Sequence, residues 1–336
     1  MNFPPTPLFM KTKTKPEDLT LGIDLGGSKI LAAVVNPQGE MLSRDHSVTP
    51  AQQGPEAVIQ AILQAARRTL KQAGITIAEV RAIGIGAPGA CNPETGIISS
   101  SPNLPGWKDV PLRDIIEREL GVKTLLVNDA NAAALGELYF GAGRGARNLV
   151  YVTVSTGIGG GIIIDGKLYS GTSGAAGEIG HMTIDVNGPR CNCGNVGCWE
   201  TLASGTALAK EARRKIEEGE RTSILDHAQG DIEQVTAQTV HKAAQGGDAL
   251  AKELIAQTGY YVGVGFVNLV NMFNPELIIV GGGLSNMGEM LLEPAIKVVK
   301  ERAFKAAHEV VRFALAQLGF NSGVLGAAAL ALALQR

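Results

Sequence analysis

Two stretches of this chain share one layout, and that repetition limits the fold more than anything else in the sequence. "LTLGIDLGGSKILAAVVNPQGEML" (19–42) reads as an apolar strand, a glycine turn carrying a hydroxyl residue, a second apolar strand, and a polar turn with glycine. "NLVYVTVSTGIGGGIIIDGKLYSG" (148–171) runs through the same steps in the same order. The match is one of pattern, not identity. Each hairpin also heads a similar series of strands and helices, so a duplicated pair of α/β domains is the economical reading. A chain of 336 residues has room for two domains.

After the first hairpin, Val58, Ile59, Ile62, Leu63, Ala66 and Leu70 recur at helical spacing over 55–73, with Gly74 as a stop. "VRAIGIGAPG" (80–89) is an apolar strand ending in a Pro-Gly loop, 110–120 a short helix, and 122–127 a strand running into the helical "NDANAAALGELYF". After the second hairpin, helical spacing covers 206–218, 236–245 and 248–273. A buried strand in 275–285, a helix over 287–306, a strand "EVVRFALA" and a closing helix complete the chain. Alternating strands and helices predict mixed α/β layers with ligands gathered at the strand ends.

The sequence holds 43 glycines, well above the ordinary share of about 7%. They cluster after strands, at Gly26-Gly27, Gly157–Gly161 and Gly281–Gly283. Backbone N–H groups in such turns converge on phosphate oxygens, although any one turn fits plain hairpin geometry equally well. No G-x-x-x-x-G-K-[ST] motif is present. "GIGAPG" (84–89) matches a dinucleotide fingerprint in letters only, because Pro88 and the residues after it do not open a helix. Asp24, beside Ser28 and Lys29, suits a Mg²⁺ ion at a phosphate cradle, or an aspartate fixing its own turn. Asn128 and Asp129 sit where a strand becomes a helix. An aspartate there is favoured as an anion by the helix dipole and suits a general base, but by itself reads first as a helix cap.

Cys191, Cys193 and Cys198 crowd into "RCNCGNVGCWE" (190–200), and Cys91 is the one other cysteine. With His181 the pattern becomes H-x9-C-x-C-x4-C. Three thiolates and an imidazole make a closed structural zinc site, although the spacing departs from the usual C-x2-C pairs. A redox pair would show C-x-x-C, which is absent. Prolines interrupt the opening segment where a signal peptide needs an apolar core, which points to the cytoplasm and against structural disulfides. No run of about 18 apolar residues predicts a membrane span. A net charge of −2 gives no ground for a nucleic-acid or membrane partner.

"GIDLGGSK", "NDANAAAL", "STGIGGG", "GEIGH" and "CNCGNVGCWE" stand in the order seen in the ROK family of sugar kinases, which the chain resembles from about residue 19 onward. The resemblance implies the actin-like, ribonuclease H-like sugar kinase fold: two α/β domains with a cleft between them, assembled as a homodimer or homotetramer. Residues 1–18 would be a flexible extension. The first domain would span 19–128 plus a C-terminal helix at about 321–336, and the second would span 129–320 with a zinc loop at 181–198. The implied reaction moves the γ-phosphoryl of ATP to the 6-hydroxyl of a hexose, with Asp129 as general base. Sugar contacts would come from Gly89, Asn103, Asn128, Asp129, Glu178, His181 and Glu200. The loop "PNLPGW" around Asn103 resembles members that use glucose; mannose, fructose or an N-acetylhexosamine are alternatives. ATP and Mg²⁺ would meet Asp24, Gly26, Gly27, Ser28, Lys29, Thr156, Gly157, Gly159, Gly282 and Gly283. Structural Zn²⁺ would be held by His181, Cys191, Cys193 and Cys198, positioning Glu178 and Glu200. The family's sugar-responsive repressors carry an N-terminal helix-turn-helix domain, for which a hairpin starting near residue 19 is expected to leave no room.

Overall fold

The first sheet begins as an antiparallel meander of β1 (Leu19–Leu25), β2 (Lys29–Val35) and β3 (Met41–Val48). This computed structural model describes residues 18–334, so the extension expected over 1–18 lies outside the described residues except for Asp18. β1 and β2 are nearly continuous apolar runs and are buried along their length. β3 alternates exposed and half-buried residues, as befits an edge strand. Helix α1 (Gly54–Ala73) follows, with Pro55 in its first turn and Gly74 closing it in the left-handed conformation. β4 (Val80–Ala87) then pairs parallel to β1.

Three short strands, β5 (Cys91–Asn92), β6 (Ile97–Ser100) and β7 (Lys108–Val110), form a small sheet that no periodicity announced. They lead to α2 (Leu112–Leu120), β8 (Thr124–Asn128) and α3 (Asp129–Phe140). The first sheet has the order β3-β2-β1-β4-β8.

The second half repeats this plan. β9 (Leu149–Val154), β10 (Ile158–Ile164) and β11 (Lys167–Leu168) open it. Helices α4 (Trp199–Ala203), α5 (Gly205–Glu217), α6 (Ile224–His227), α7 (Ala237–Gln245) and α8 (Ala249–Phe273) follow. β12 (Leu277–Gly281), α9 (Glu289–Arg302), α10 (Lys305–His308), β13 (Arg312–Leu315) and α11 (Ser322–Leu332) close the chain. The sheet order is β11-β10-β9-β12-β13. Both sheets are therefore a three-strand series followed by two parallel strands, and the duplication read from the two hairpins extends to topology.

Two compact units result. One holds the described residues up to Arg147, Gly161–Ala176 and the chain from Gln317; the other holds Asn148–Gly160 and Gly177–Ala316. The division at 128/129 and 320 expected from sequence differs from this, because α3 packs on α11 within the first unit. A Cβ on Gly326 would lie 1.6 Å from the Ala132 carbonyl, and one on Gly136 would lie 2.5 Å from that of Ser322. Glu137, fully buried on α3, adds polar ties: its carboxylate accepts from the N–H groups of Ala142, Gln317 and Leu318 and from the Ser322 hydroxyl.

The first unit's core lies on both faces of its sheet. Leu21, Ile23 and Ile85 pack with α1 residues such as Val58 and Ile62, while Leu31, Ala33 and Val35 pack with Val324 and Ala328 of α11. Gly84, in the letters of the dinucleotide fingerprint, sits in β4 where a Cβ would fall 1.8 Å from the Ala327 carbonyl of α11. Its glycine serves helix-on-sheet contact. The second glycine run is also corrected: Gly159–Gly161 belong to β10, and the turn is confined to the residues before Ile158. A Cβ on Gly161 would meet that of Ala134 on α3 at 2.5 Å.

Gly84→Val should cost at least about 1–3 kcal/mol from overpacking against backbone. The apparent melting temperature in a thermal scan should fall by roughly 3–10 °C, or the soluble protein should be lost. An unchanged melting temperature would contradict the packing described.

Candidate active site

In the first unit, the β1–β2 turn is closed by the Gly26 N–H donating to the Lys29 carbonyl at 2.8 Å. Thr49 braces it, its hydroxyl donating to the Gly26 carbonyl at 2.7 Å and its N–H to the Ser28 carbonyl at 3.0 Å. Gly27 leaves the space that Asn103 fills: a Cβ there would lie 2.8 Å from the Asn103 carbonyl. The loop bearing Asn103 is thus seated on the first glycine turn. Gly89 has φ +100°, and its missing side chain admits the Ser100 carbonyl.

Asn128 ends β8 and caps α3. Its side-chain oxygen accepts from the N–H groups of Ala130 at 2.9 Å and Asn131 at 3.4 Å, while its amide donates to the Gly89 carbonyl at 3.2 Å. The capping role therefore falls on Asn128 and not on Asp129. Asp129 is the first helical residue, its carboxylate accepting from the Ala130 N–H at 2.8 Å. Asp24 lies against Gly323 of α11, where a Cβ would come within 2.7 Å of its carboxyl group. Burial first, and then the charge of Asp129, push the Asp24 carboxyl up to about 6, while Lys29 acts in the opposite direction. The structure thus gathers Asp24, Lys29 and Asp129 around the first glycine turn. Gly323 lies against this carboxyl and sequence reasoning missed it; one of two glycines in an alanine-rich helix pattern was its signal.

In the second unit, Glu200 belongs to α4 and accepts from the Ile158 N–H at 2.9 Å. A Cβ on Gly157 would collide with this carboxylate at 2.2 Å. The turn is tied further by Gly205 N–H donating to the Ser155 carbonyl and the Thr206 hydroxyl donating to that of Thr156, both at 2.7 Å. Gly282, with φ +84°, lies where a Cβ would meet the Val154 carbonyl at 2.4 Å, and Gly283 approaches Ser155. Thr156, Gly157, Gly282 and Gly283 are therefore grouped, whereas Gly159 is a strand residue. α4 is anchored by Trp199, fully buried edge-on to Phe266 of α8, its indole N–H donating to the Tyr261 carbonyl at 2.9 Å.

His181, Cys191, Cys193 and Cys198 bring four ligand atoms within 4.8 Å of one another, a group that could hold a metal ion. The Cys193 and Cys198 sulfurs are 3.7 Å apart, and Cys191 Sγ is 3.7 Å from His181 Nδ1. Ligands about 2.3 Å from a tetrahedral metal stand about 3.8 Å apart, so the donor set fits. Burial, then hydrogen bonding among the sulfurs, pushes the Cys198 thiol up to about 12. The Asn195 backbone N–H chiefly holds the exposed Cys193 thiol below its usual value. The other ring nitrogen of His181, Nε2, is 3.9 Å from Glu178 Oε2.

Two duplicated α/β units, each with glycine turns and carboxylates at strand ends, define the actin-like, two-domain sugar kinase fold. The chain belongs to the ROK family, whose sequence model matches residues 20–334. It is 38% identical over 308 residues to a glucokinase of Halalkalibacterium halodurans, covering 91% of this chain and 92% of that one. A ROK family glucokinase from Streptomyces griseus, solved in complex with glucose and AMPPNP, matches with a TM-score of 0.80 and 36% identity, covering 93% of this chain and 98% of that one. A xylose repressor of Caldicellulosiruptor bescii is 34% identical over 310 residues, 92% of this chain and 77% of the repressor. No described helix is long and apolar enough to cross a membrane.

The raised Asp24 value has a consequence for stability. Between the usual carboxyl value of 3.8 and about 6, the folded chain binds more protons than the unfolded one, so stability falls as pH rises through that window. In ligand-free and metal-free protein, Asp24→Asn should therefore raise the melting temperature above pH 6 by roughly 2–5 °C. The advantage should vanish towards pH 4. A pH-independent difference between the two proteins would contradict the cause assigned.

Proposed function

We propose that this chain is an ATP-dependent glucokinase that transfers the γ-phosphoryl group of ATP to the 6-hydroxyl of glucose. The observation that carries the chemistry is the division of labour at the start of α3. Asn128 takes the cap, and Asp129 follows it beside Asp24. Relatives named as glucokinases, aligned over nearly their whole length, support glucose as the acceptor.

In this reading Asp129 accepts the proton of the 6-hydroxyl as that oxygen attacks the γ-phosphorus in line, and the leaving group is ADP. Gly26, Gly27, Ser28, Lys29, Thr156, Gly157, Gly282 and Gly283, with Gly159 at the start of β10, are the residues assigned to the nucleotide. The turn amides and the Lys29 ammonium supply the positive ends that phosphate oxygens need. Asp24 is the carboxylate suited to Mg²⁺, which when bound neutralises charge on the phosphates. The nearness of Asp24 to Asp129, which raises its proton affinity, fits a place where a cation would relieve two acids.

Gly89, Asn103, Asn128, Glu178, His181 and Glu200 hold the sugar. A site that pairs with hydroxyls rejects analogues lacking them, because its own polar groups are left unpaired. Zinc is the metal that three thiolates and one imidazole suit, and a closed four-ligand site leaves no open position for substrate. Its role is to hold the loop: Nδ1 of His181 faces the cluster while Nε2 faces Glu178. Mannose, fructose and N-acetylhexosamines remain rival acceptors, since one loop around Asn103 can reshape the pocket. The repressor match makes a sugar-responsive regulator the alternative of a different class.

A coupled assay over a hexose panel tests this reading. Glucose with ATP should turn over fastest, and Asp129→Asn should lower kcat by about 10²–10⁴-fold while glucose binding stays measurable by calorimetry. Glucose binding with no turnover by the unaltered protein would favour the regulatory reading. Full turnover in Asp129→Asn would remove Asp129 from its role.

A further inference from the structure

A cavity of about 410 Å³ in the first unit is lined by Lys29, Leu31, Arg44, His46, Phe320 and Asn321. That volume falls within the ~300–1,000 Å³ usual for small-molecule sites. The walls follow from register. Leu31 on β2 faces His46 on β3, and Ala33 faces Arg44, so alternate residues of the two strands present one common face. Phe320 and Asn321 come from the segment that leads into α11 and rise beside that face.

The charge on the two faces of β3 is sorted. On the α1 side, Asp45 is taken up by Arg68, which donates from Nε and Nη2, both at 2.9 Å, and by Ser47. Ser43, on the same side, donates to the Thr69 carbonyl. On the cavity side stand Lys29, Arg44 and His46, none of which makes an ion pair among the described residues. Phe320 and Asn321 supply the remaining wall, and the segment around them, 316–334, contains no Asp or Glu. The Asp24 carboxylate is close enough to Lys29 for the two charges to interact. Arg44 and His46 stand exposed beside the Lys29 ammonium, so a phosphate placed among them would meet donors from both strands.

The cavity also carries an unspent apolar surface. Phe320 is 86% exposed, the highest exposure among the large apolar residues of the described chain. One side of its ring is near the Lys29 ammonium, 5.1 Å from the centroid. Leu31 adds a buried apolar floor. Cations for an anionic head, a ring and a leucine for an organic body, and the Asn321 amide for a polar substituent make a composite site.

We propose that this cavity binds a phosphate monoester, the phosphate held by Arg44 and His46 and the organic part lying on Phe320. Lys29 is shared with the nucleotide turn of the proposed kinase reading; the other five lining residues are outside it. Two sources offer this chemistry, a nucleoside monophosphate and a sugar phosphate, and they differ in how much they need the ring.

Isothermal titration calorimetry on the full chain tests the site. The protein is first saturated with glucose and AMPPNP, and AMP, glucose 6-phosphate and inorganic phosphate are titrated separately. One ester should bind saturably with one-to-one stoichiometry and weaken as salt is raised. Arg44→Ala and His46→Ala should each weaken it about tenfold, and both variants should keep unaltered ATP-dependent turnover. If AMP binds and Phe320→Ala weakens it, the nucleotide is the source; if glucose 6-phosphate binds instead, the sugar ester is the source. No saturable binding of either ester overturns the proposal. So does binding that Arg44→Ala and His46→Ala leave unchanged, or inorganic phosphate binding as tightly as both esters. The binding readout does not require the protein to be a kinase, so its failure and a failure of the glucokinase reading are distinguishable.

Discussion

The four ligand atoms of His181, Cys191, Cys193 and Cys198 converge in a loop that has little hydrophobic burial of its own. Between His181 and Gly197, only Cys191 and Gly197 are buried, and Val186 is 79% exposed. A segment with so little apolar contact does not offset the entropy of its own ordering. What it has is a converging donor set and a few backbone ties, among them Cys191 N–H to the Asn195 carbonyl at 2.8 Å and Trp199 N–H to that of Met182 at 2.9 Å. The loop's two ends carry the groups that matter: Glu178 stands three residues before the first ligand, and Glu200 two residues after the last. Trp199 lies between Cys198 and Glu200 and fixes α4 in the core. The donor set and the core packing meet at one helix turn, whose Glu200 carboxylate accepts from the Ile158 N–H.

A second constraint is backbone proximity. In the first unit, α11 crosses the sheet and α3 so closely that Gly22, Gly84, Gly136 and Gly326 leave no room for a Cβ. The same closeness sets Gly323 against Asp24. A helix on that spot restricts solvent around the carboxyl and raises its proton affinity, with Asp129 adding to the effect. Packing thus shapes the local electrostatics: a carboxyl raised to about 6 beside a lysine and a second acid, next to the first glycine turn.

Much of this was legible in the sequence, because the signals were local. The two hairpins announced the duplication, Gly74 marked the end of α1, and His181 with the three cysteines announced a cluster that the fold brings within 4.8 Å. Other features depended on partners distant in the chain. Glu137 is fully buried and binds groups about 180 positions away, partners that no local pattern marks. Gly159–Gly161 read as a turn because nothing local shows that Ile179 and Ala134 press on Gly160 and Gly161. Asp129 read as a cap because either Asn128 or Asp129 suits that position; only the geometry of the helix start decides. The basic cavity was invisible for the same reason, since Lys29, Arg44 and Phe320 meet only when β2, β3 and the approach to α11 are assembled.

In the proposed reading, a zinc ion on His181 and the three cysteines positions Glu178 and Glu200 for the sugar. Glucose and ATP affinities should be measured on the zinc-loaded protein and on Cys193→Ser, with zinc content determined for each sample. The account predicts one zinc per chain in the unaltered protein, and in the variant a loss of zinc with a parallel fall in glucose affinity of about 10–100-fold. ATP affinity should fall by less, since the Gly205–Ser155 and Thr206–Thr156 ties at the turn before Ile158 remain. Glucose affinity that stays the same when the zinc is gone would contradict the account.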